Sequence, residues 1–265
     1  MLQTMSYFGG KNGAGVYQTI INHLPPHQVY IEPFLGGGAI MRLKRPASVN
    51  VGIDRDAGAI AAFKDYGSAL ATIADTTRLN DAHRRRSPDP PMLDTPAASG
   101  DVGRYRWICG DAIAYLQKRR YGTGELVYCD PPYMHETRGR KDRYKFEMTD
   151  VDHRRLLRCL LEVPAMVIIS GYWTSLYSKM LAAWNHSTFQ TVNRAGQKTE
   201  EHLWFNYPRP LELHDYRYLG SDFRERERIK RKKARWAAKL ARMPLLERQA
   251  VLGALAESSI AYRQP

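Results

Sequence analysis

The chain has 265 residues, 43% of them hydrophobic, and a formal net charge of +13. That length and apolar fraction exclude a disordered chain and allow one large domain with an appendage. With an isoelectric point near 9.7, a polyanionic partner is favoured, nucleic acid first, though ribosomal contact or a membrane surface would also satisfy the charge.

The elements follow in chain order. The opening "MLQTMSYFGGKNGAG" holds no apolar signal core. No run reaches the roughly 20 apolar residues of a spanning helix, so the expectation is a soluble, cytoplasmic protein with no membrane partner. "QVYIEPF" reads as a strand, ends in "LGGG" and leads into helical "AIMRLK". "SVNVGID" is strand-like and precedes helical "AGAIAAFKDY". Residues 84–103, rich in Pro, Gly and polar side chains, read as a long flexible loop. "YRWICG" and "LVYC" flank the helical "DAIAYLQKR". An amphipathic helix from Asp150, the strand "AMVIIS" and the helix "SLYSKMLAAW" come next. "HSTFQTVNR" and "TEEHLWFNY", joined by "AGQK", read as a hairpin. Beyond Pro210, "FRERERIKRKKARWAAKLARM" carries ten Lys or Arg against two Glu, and Pro244 should start a further short helix. The division expected is a domain over 1–210 and a basic helical extension over 211–265.

Strands alternating with helices in short runs imply a mostly parallel α/β sheet, doubly wound, with an antiparallel edge supplied by the terminal hairpin. Ligands of such sheets sit at the carboxyl ends of the strands. Gly36, Gly37 and Gly38 lie at one such end. They match neither the dinucleotide fingerprint nor a phosphate loop, and a plain tight turn is the simpler reading. Asp54, ending the next strand about 20 residues on, is placed to accept both hydroxyls of a ribose. A nucleoside-bearing ligand without a pyrophosphate fits the pair. Asp54 and Asp111 also read as helix N-caps.

Asp130-Pro131-Pro132-Tyr133 follows "LVYC", and its prolines, which cannot donate to a ladder, place it just off a strand end. The run Arg138 to Lys145 comes directly after it and is crowded with positive charge. The three cysteines, Cys109, Cys129 and Cys159, read as buried reduced thiols. The eight histidines show no ligand spacing, so no metal is expected.

"YFGGK" (Tyr7 to Lys11), "EPFLGGG" (Glu32 to Gly38) and "DPPY" (Asp130 to Tyr133), in that order, resemble the Dam-like adenine-specific DNA methyltransferases of bacteria and phages. "VIISGY" and "EEHLWFNY" look like that family's later core strands, and the resemblance covers roughly residues 5–208. It implies a Rossmann-like, doubly wound seven-stranded sheet with a terminal antiparallel β-hairpin, and S-adenosylmethionine as cofactor, with S-adenosylhomocysteine as product. Glu32, Pro33, Phe34, Gly36 and Gly38 would wrap the methionine part, Tyr7 and Lys11 would close over it, Asp54 would hold the ribose and Asp111 the cofactor's adenine amino group. Asp130, Pro131, Pro132 and Tyr133 would hold the target adenine. A carboxylate and a rigid carbonyl accepting both amine hydrogens would free the nitrogen lone pair, by positioning and electrostatics. Tyr133 would stack on a flipped base.

DNA contact is expected from Arg138, Arg140, Lys141, Arg143, Tyr144 and Lys145 beside the site, from Arg194 and Lys198 at the hairpin turn, and from Arg231, Lys232 and Lys233 in the basic helix. A phosphate clamp is the preferred reading of that helix, slightly ahead of a solvated helix or a contact between two copies of the chain. Only about twenty residues separate Asp111 from Asp130, which leaves no room for the target-recognition domain of the larger relatives. The family's recognition sequence is therefore not carried over. The reading is an orphan or phage-type DNA adenine methyltransferase of the bacterial cell. Its alternatives are transfer to an RNA adenine, a cytosine 4-amino group or a protein amide, or a non-catalytic DNA-binding module built on the same core.

Overall fold

The computed structural model describes residues 11–13, 15–63, 104–138, 144–192 and 196–261, the last helix with side chains to residue 257. Tyr7, Arg140, Lys141, Arg143, Arg194 and the 84–103 loop lie outside the described residues. The chain divides into two compact units, Met1–Asp215 and Tyr216–Pro265.

The first unit is built on one seven-stranded sheet. Its strands are β1 (Val29–Glu32), β2 (Val49–Asp54), β3 (Tyr105–Cys109), β4 (Glu125–Cys129), β5 (Met166–Gly171), β6 (Asn185–Val192) and β7 (Lys198–Phe205). Their spatial order is β3-β2-β1-β4-β5-β7-β6. The first five run parallel, while β7 pairs antiparallel with β5 and β6 with β7. This is the doubly wound sheet with a terminal hairpin that the sequence pattern implies.

Its helices are α1 (Val16–Ile21), α2 (Ala39–Leu43), α3 (57–63), α4 (Ala112–Lys118), α5 (Asp150–Glu162) and α6 (Ser175–Met180). The inner strands β4 and β5 are apolar almost throughout because both faces are covered, whereas the edge strands β3 and β6 are partly exposed. Cys109, ending β3, is exposed rather than buried as expected, while Cys129 and Cys159 are buried. Ile31, Val51, Ile53, Val127, Val167 and Ile169 form one core with Ile113 and Leu116 of α4, Leu156, Leu157 and Leu160 of α5, and Leu176 of α6. The alternate residues Tyr30, Leu126, Tyr128, Ile168 and Leu203 are buried as well, on the opposite face.

One helix, α1, lies where the sequence reading named no element, and another, α6, is shorter than expected. "VYQTII" is rich in β-branched residues, yet α1 forms there because the Gln18 side chain accepts the Gly15 N–H at 2.7 Å and Ile20 and Ile21 are fully buried. "SLYSKMLAAW" stops being helical at Met180; the chain turns through Leu181, with the Trp184 N–H on its carbonyl at 2.9 Å, and enters β6. The sheet is braced at two further points. At the amino end of β4, Arg119 grips buried Glu125 through two nitrogens at 2.9 and 3.0 Å. After β7, His214 donates its N–H to the Leu24 carbonyl at 3.0 Å and Asp215 accepts the Arg45 N–H at 2.8 Å. The first unit thus extends a few residues past Pro210.

The second unit holds α7 (Phe223–Arg242) and α8 (Leu245–Ala261), the latter 17 residues and longer than the short helix expected. Asp222 caps α7 by accepting the Glu225 N–H at 2.8 Å, and no residue of α7 is buried. No helix among the described residues is long and apolar enough to cross a membrane.

Candidate active site

Four acids stand in a row along the carboxyl edge of the sheet, one per strand. In spatial order they are Asp111 after β3, Asp54 ending β2, Glu32 ending β1 and Asp130 after β4. Together with Lys11, Pro33, Phe34, Gly36, Gly38, Pro131 and Pro132 they line one cleft, which contains about 990 Å³ of atom-free space with its mouth included. Every expected cofactor residue that the structure describes is therefore at the same place. Ile113, Tyr144, Phe146 and Met148 add apolar wall.

The glycine loop is held from below. Both oxygens of Asp54 accept backbone N–H groups, Oδ2 from Gly36 at 2.7 Å and Oδ1 from Asp56 at 2.8 Å. Burial pushes the Asp54 carboxyl up from its ordinary value against these bonds. Asp54 is not the cap of α3; Asp56 is, accepting the Gly58 N–H at 2.9 Å. Gly38 starts α2 at φ +53°, where a Cβ would lie 2.3 Å from the Phe63 ring, so only glycine fits the turn. Asp111 does cap its helix, taking the Ala114 N–H at 2.7 Å, and its other oxygen meets Arg55 at the cleft mouth. Burial alone would raise the Asp111 carboxyl, but the Ala114 N–H and Arg55 outweigh it and hold it low.

Glu32 is 3% exposed and accepts the Tyr30 hydroxyl at 2.9 Å. Burial, with Asp130 nearby, lifts its carboxyl from 4.5 to about 8 against the Tyr30 bond and Lys44. Asp130 is raised to about 6, again mainly by burial, with Lys11 pulling it down and Glu201 pushing it up. Its Oδ1 takes both Lys11 Nζ, at 2.8 Å, and the Ser170 hydroxyl, at 3.1 Å. Neither bond uses Oδ2.

On the far side of Pro131 and Pro132 lies a second, smaller cavity of about 210 Å³, walled by Tyr133, Ser170, Tyr172 and Tyr177. The rings of Tyr133 and Tyr172 are 4.5 Å apart. The Tyr133 hydroxyl donates to Glu201 at 2.9 Å and is also met by Lys11. Lys11, 4% exposed, thus joins Asp130, Tyr133 and Glu201, the last at 2.6 Å. Burial alone would strip its proton, but Asp130 and Glu201 keep the ammonium well above its ordinary value. Glu201, Ser170, Arg55 and Tyr172 were not singled out in the sequence. An acid at the boundary between the polar and apolar halves of β7 was the one signal for Glu201.

The basic residues are more scattered. Arg138 does not face outward as a loop charge would. Its side chain is 4% exposed and clamps Glu147 at 2.9 and 2.7 Å, so it braces the segment after the site. Tyr144 hangs on the same Glu147, through its N–H at 2.9 Å, and faces the cleft. Lys145 is 64% exposed and reaches Asp56 at 2.8 Å. Lys198 is exposed at the start of β7. In the second unit Arg231 and Lys232 are exposed, and Lys233 donates to the Tyr216 carbonyl at 2.9 Å. Among the described residues no group of three or more His, Cys, Asp or Glu is placed to hold a metal.

No family model matches the chain. It is similar to the DNA N-6-adenine-methyltransferase of Escherichia phage P1, with 25% identity over 177 residues, 47% of this chain and 23% of the relative. The match therefore spans about a quarter of that protein's length. Among solved structures, a conserved hypothetical protein of Streptococcus pyogenes aligns with a TM-score of 0.44 and 16% identity, over 76% of this chain and 99% of that one. An rRNA methylase of Streptococcus thermophilus aligns at 0.39 and 11% identity, over 74% and 97%.

Proposed function

We propose that the chain is an S-adenosylmethionine-dependent methyltransferase acting on the 6-amino group of adenine in DNA. The observation that carries this reading is the place of Asp130-Pro131-Pro132, a wall shared by two cavities at the end of a central strand. A group-transfer enzyme needs two ligands to meet at one point, and this segment is where they would.

The larger cleft fits the cofactor by its chemistry. Asp111, Asp54, Glu32 and Asp130 offer acceptors along its whole length. A phosphate would meet repulsion there. A ligand bearing hydroxyls, amino groups and positive charge would meet partners, and Phe34, Ile113 and Met148 would cover its apolar parts. When bound, S-adenosylmethionine supplies a methyl group on a cationic sulfur. The rest falls to the chain itself. Asp130 Oδ2 accepts one hydrogen of the substrate amine, while Lys11 and Ser170 hold Oδ1 and fix the plane of the carboxylate. The Pro131 carbonyl, rigid in its ring-locked backbone, takes the other hydrogen. With Tyr172 only 4.5 Å from Tyr133, no base fits between the two rings as they stand, so a base that stacks on Tyr133 must displace Tyr172 or enter at another edge of the ring.

The Dam-like motif order and the phage P1 relative support adenine in DNA, and the net charge of +13 supports nucleic acid as the substrate class. Between Asp111 and Asp130 stand only α4 and β4, so sequence recognition falls to other segments. The test is methyl transfer from labelled S-adenosylmethionine to unmethylated genomic DNA and, in parallel, to RNA, with nucleosides identified by mass spectrometry. N6-methyladenine in DNA that disappears with Asp130→Ala supports the reading. Label in RNA alone would overturn the DNA assignment, and no label on either would overturn the reaction.

A further inference from the structure

Glu201 on β7 is 3% exposed, and the bonds that the structure gives its carboxylate run to the two side chains flanking Asp130. Its Oε1 accepts from Tyr133 at 2.9 Å and from Lys11 at 2.6 Å. Lys11 in turn reaches Asp130 at 2.8 Å. We propose that Glu201 is a positioning residue that acts through Lys11: by sharing the lysine's ammonium it sets how firmly Asp130 is held as a carboxylate, and it fixes the Tyr133 ring at the same time. The proposal rests on the methyltransferase reading for its purpose, but the coupling exists in the ligand-free protein.

The charges around Asp130 leave few other sources of such control. Glu32 approaches from β1, the Tyr128 phenol from β4, the Ser170 hydroxyl from β5, Tyr133 and Tyr144 from the segment that follows, and Lys11 from the amino-terminal side. Within this set Lys11 is the cation, and Glu201 competes for it. With Lys11 wholly committed to Asp130, the carboxylate would be neutralised by its partner and a poorer acceptor for an amine hydrogen. With Lys11 drawn away, it would be protonated near neutrality. Sharing keeps Asp130 ionised but basic. A strut that only joined β7 to the sheet would not need a buried charge, since apolar side chains of similar size do that at lower cost.

The experiment compares wild type with Glu201→Gln, which keeps an acceptor for Tyr133 but deletes the charge. Aspartate carbons are labelled with ¹³C, and the Asp130 carboxyl is titrated in the ligand-free protein, assigned with Asp130→Asn. The expected result is a fall in the Asp130 midpoint of roughly one pH unit or more. A matching fall in the acid limb of kcat for methyl transfer, with little change in KM, should accompany it, and Glu201→Asp should partly restore both. An Asp130 titration unmoved in Glu201→Gln overturns the proposal, as does lower stability with an unchanged pH profile. Should Glu201→Gln not fold, the wild-type protein decides: the ¹³C-labelled Glu201 carboxyl must respond across the Asp130 transition, and a resonance that ignores it overturns the coupling. Absence of methyl transfer in wild type would refute the function while leaving the titration to judge Glu201.

Discussion

Glu32 offers the most quantitative test of the cleft. Its carboxyl sits at about 8 in the ligand-free protein, so roughly nine-tenths of it is protonated at pH 7. A cationic ligand seated in the cleft favours the ionised form. Ionising Glu32 first costs about 1.4 kcal/mol at pH 7 and only ~0.2 kcal/mol at pH 8.5. Affinity should therefore rise roughly eightfold across that interval, with close to one proton released per ligand bound at pH 7. The ligand's own amino group titrates near pH 8 and would blur the effect. Glu32→Gln removes the first contribution and keeps the second, so the ratio of wild-type to variant affinity isolates it. The measurement is isothermal titration with S-adenosylmethionine, without nucleic acid, in buffers of different ionisation enthalpy. A ratio that stays within twofold from pH 7 to 8.5 would refute the reasoning. The same group has a consequence for folding. Its folded value lies above the ordinary 4.5, so the native state binds more protons than the unfolded chain between about 4.5 and 8. Stability falls as pH rises through that window, and Glu32→Gln should flatten the fall.

Other perturbations give further expected outcomes. Lys11→Met leaves Asp130 and Glu201 adjacent without their cation, and should lower stability to urea at pH 7.5 by about 3–5 kcal/mol, with much of the loss regained at pH 5. Gly38→Ala forces a Cβ against Phe63 at positive φ, and should cost about 1–3 kcal/mol in the same assay and weaken S-adenosylmethionine binding. Removing residues 216–265, a cut placed after Asp215 because His214 and Asp215 are bonded to Leu24 and Arg45, should leave cofactor affinity unchanged. It should weaken DNA binding and make its dependence on salt shallower, as measured by fluorescence anisotropy.

What could be read in the sequence was what local pattern encodes. Val49, Val51 and Ile53 alternate because they share the face of β2 that meets the apolar core, while on the other face Asn50 bonds Ala47 and Arg104 and Gly52 leaves room for Trp107. The glycines after β1 announce a turn that excludes Cβ. Asp130 was legible because two prolines beside an acid have few uses away from a strand end. Pairing across distance was not legible. Tyr133 and Glu201 are 68 residues apart, and nothing near either one names the other. Arg138 shows a related limit. Its charge was read for DNA contact, and nothing local announces that an acid nine residues on, Glu147, would bind it and bury its side chain. The alternative reading of Asp54 as a helix cap did not hold, since a neighbouring acid, Asp56, caps the helix and leaves Asp54 to hold the glycine loop.

The Pro131-Pro132 wall bears on how a turnover would end. Neither proline has an N–H, so between the two cavities the backbone of this pair presents lone pairs and no donors. An unmodified adenine amine brings two hydrogens, enough for both the Asp130 carboxylate and the Pro131 carbonyl. Once one hydrogen has been exchanged for a methyl group, a single donor faces two acceptors. The orphaned acceptor would cost about 1–3 kcal/mol, which loosens the modified base by roughly five- to 150-fold. In the proposed reaction the arrangement that draws the substrate in would thereby help expel the product, and it would leave a second methylation without the pair of contacts used in the first.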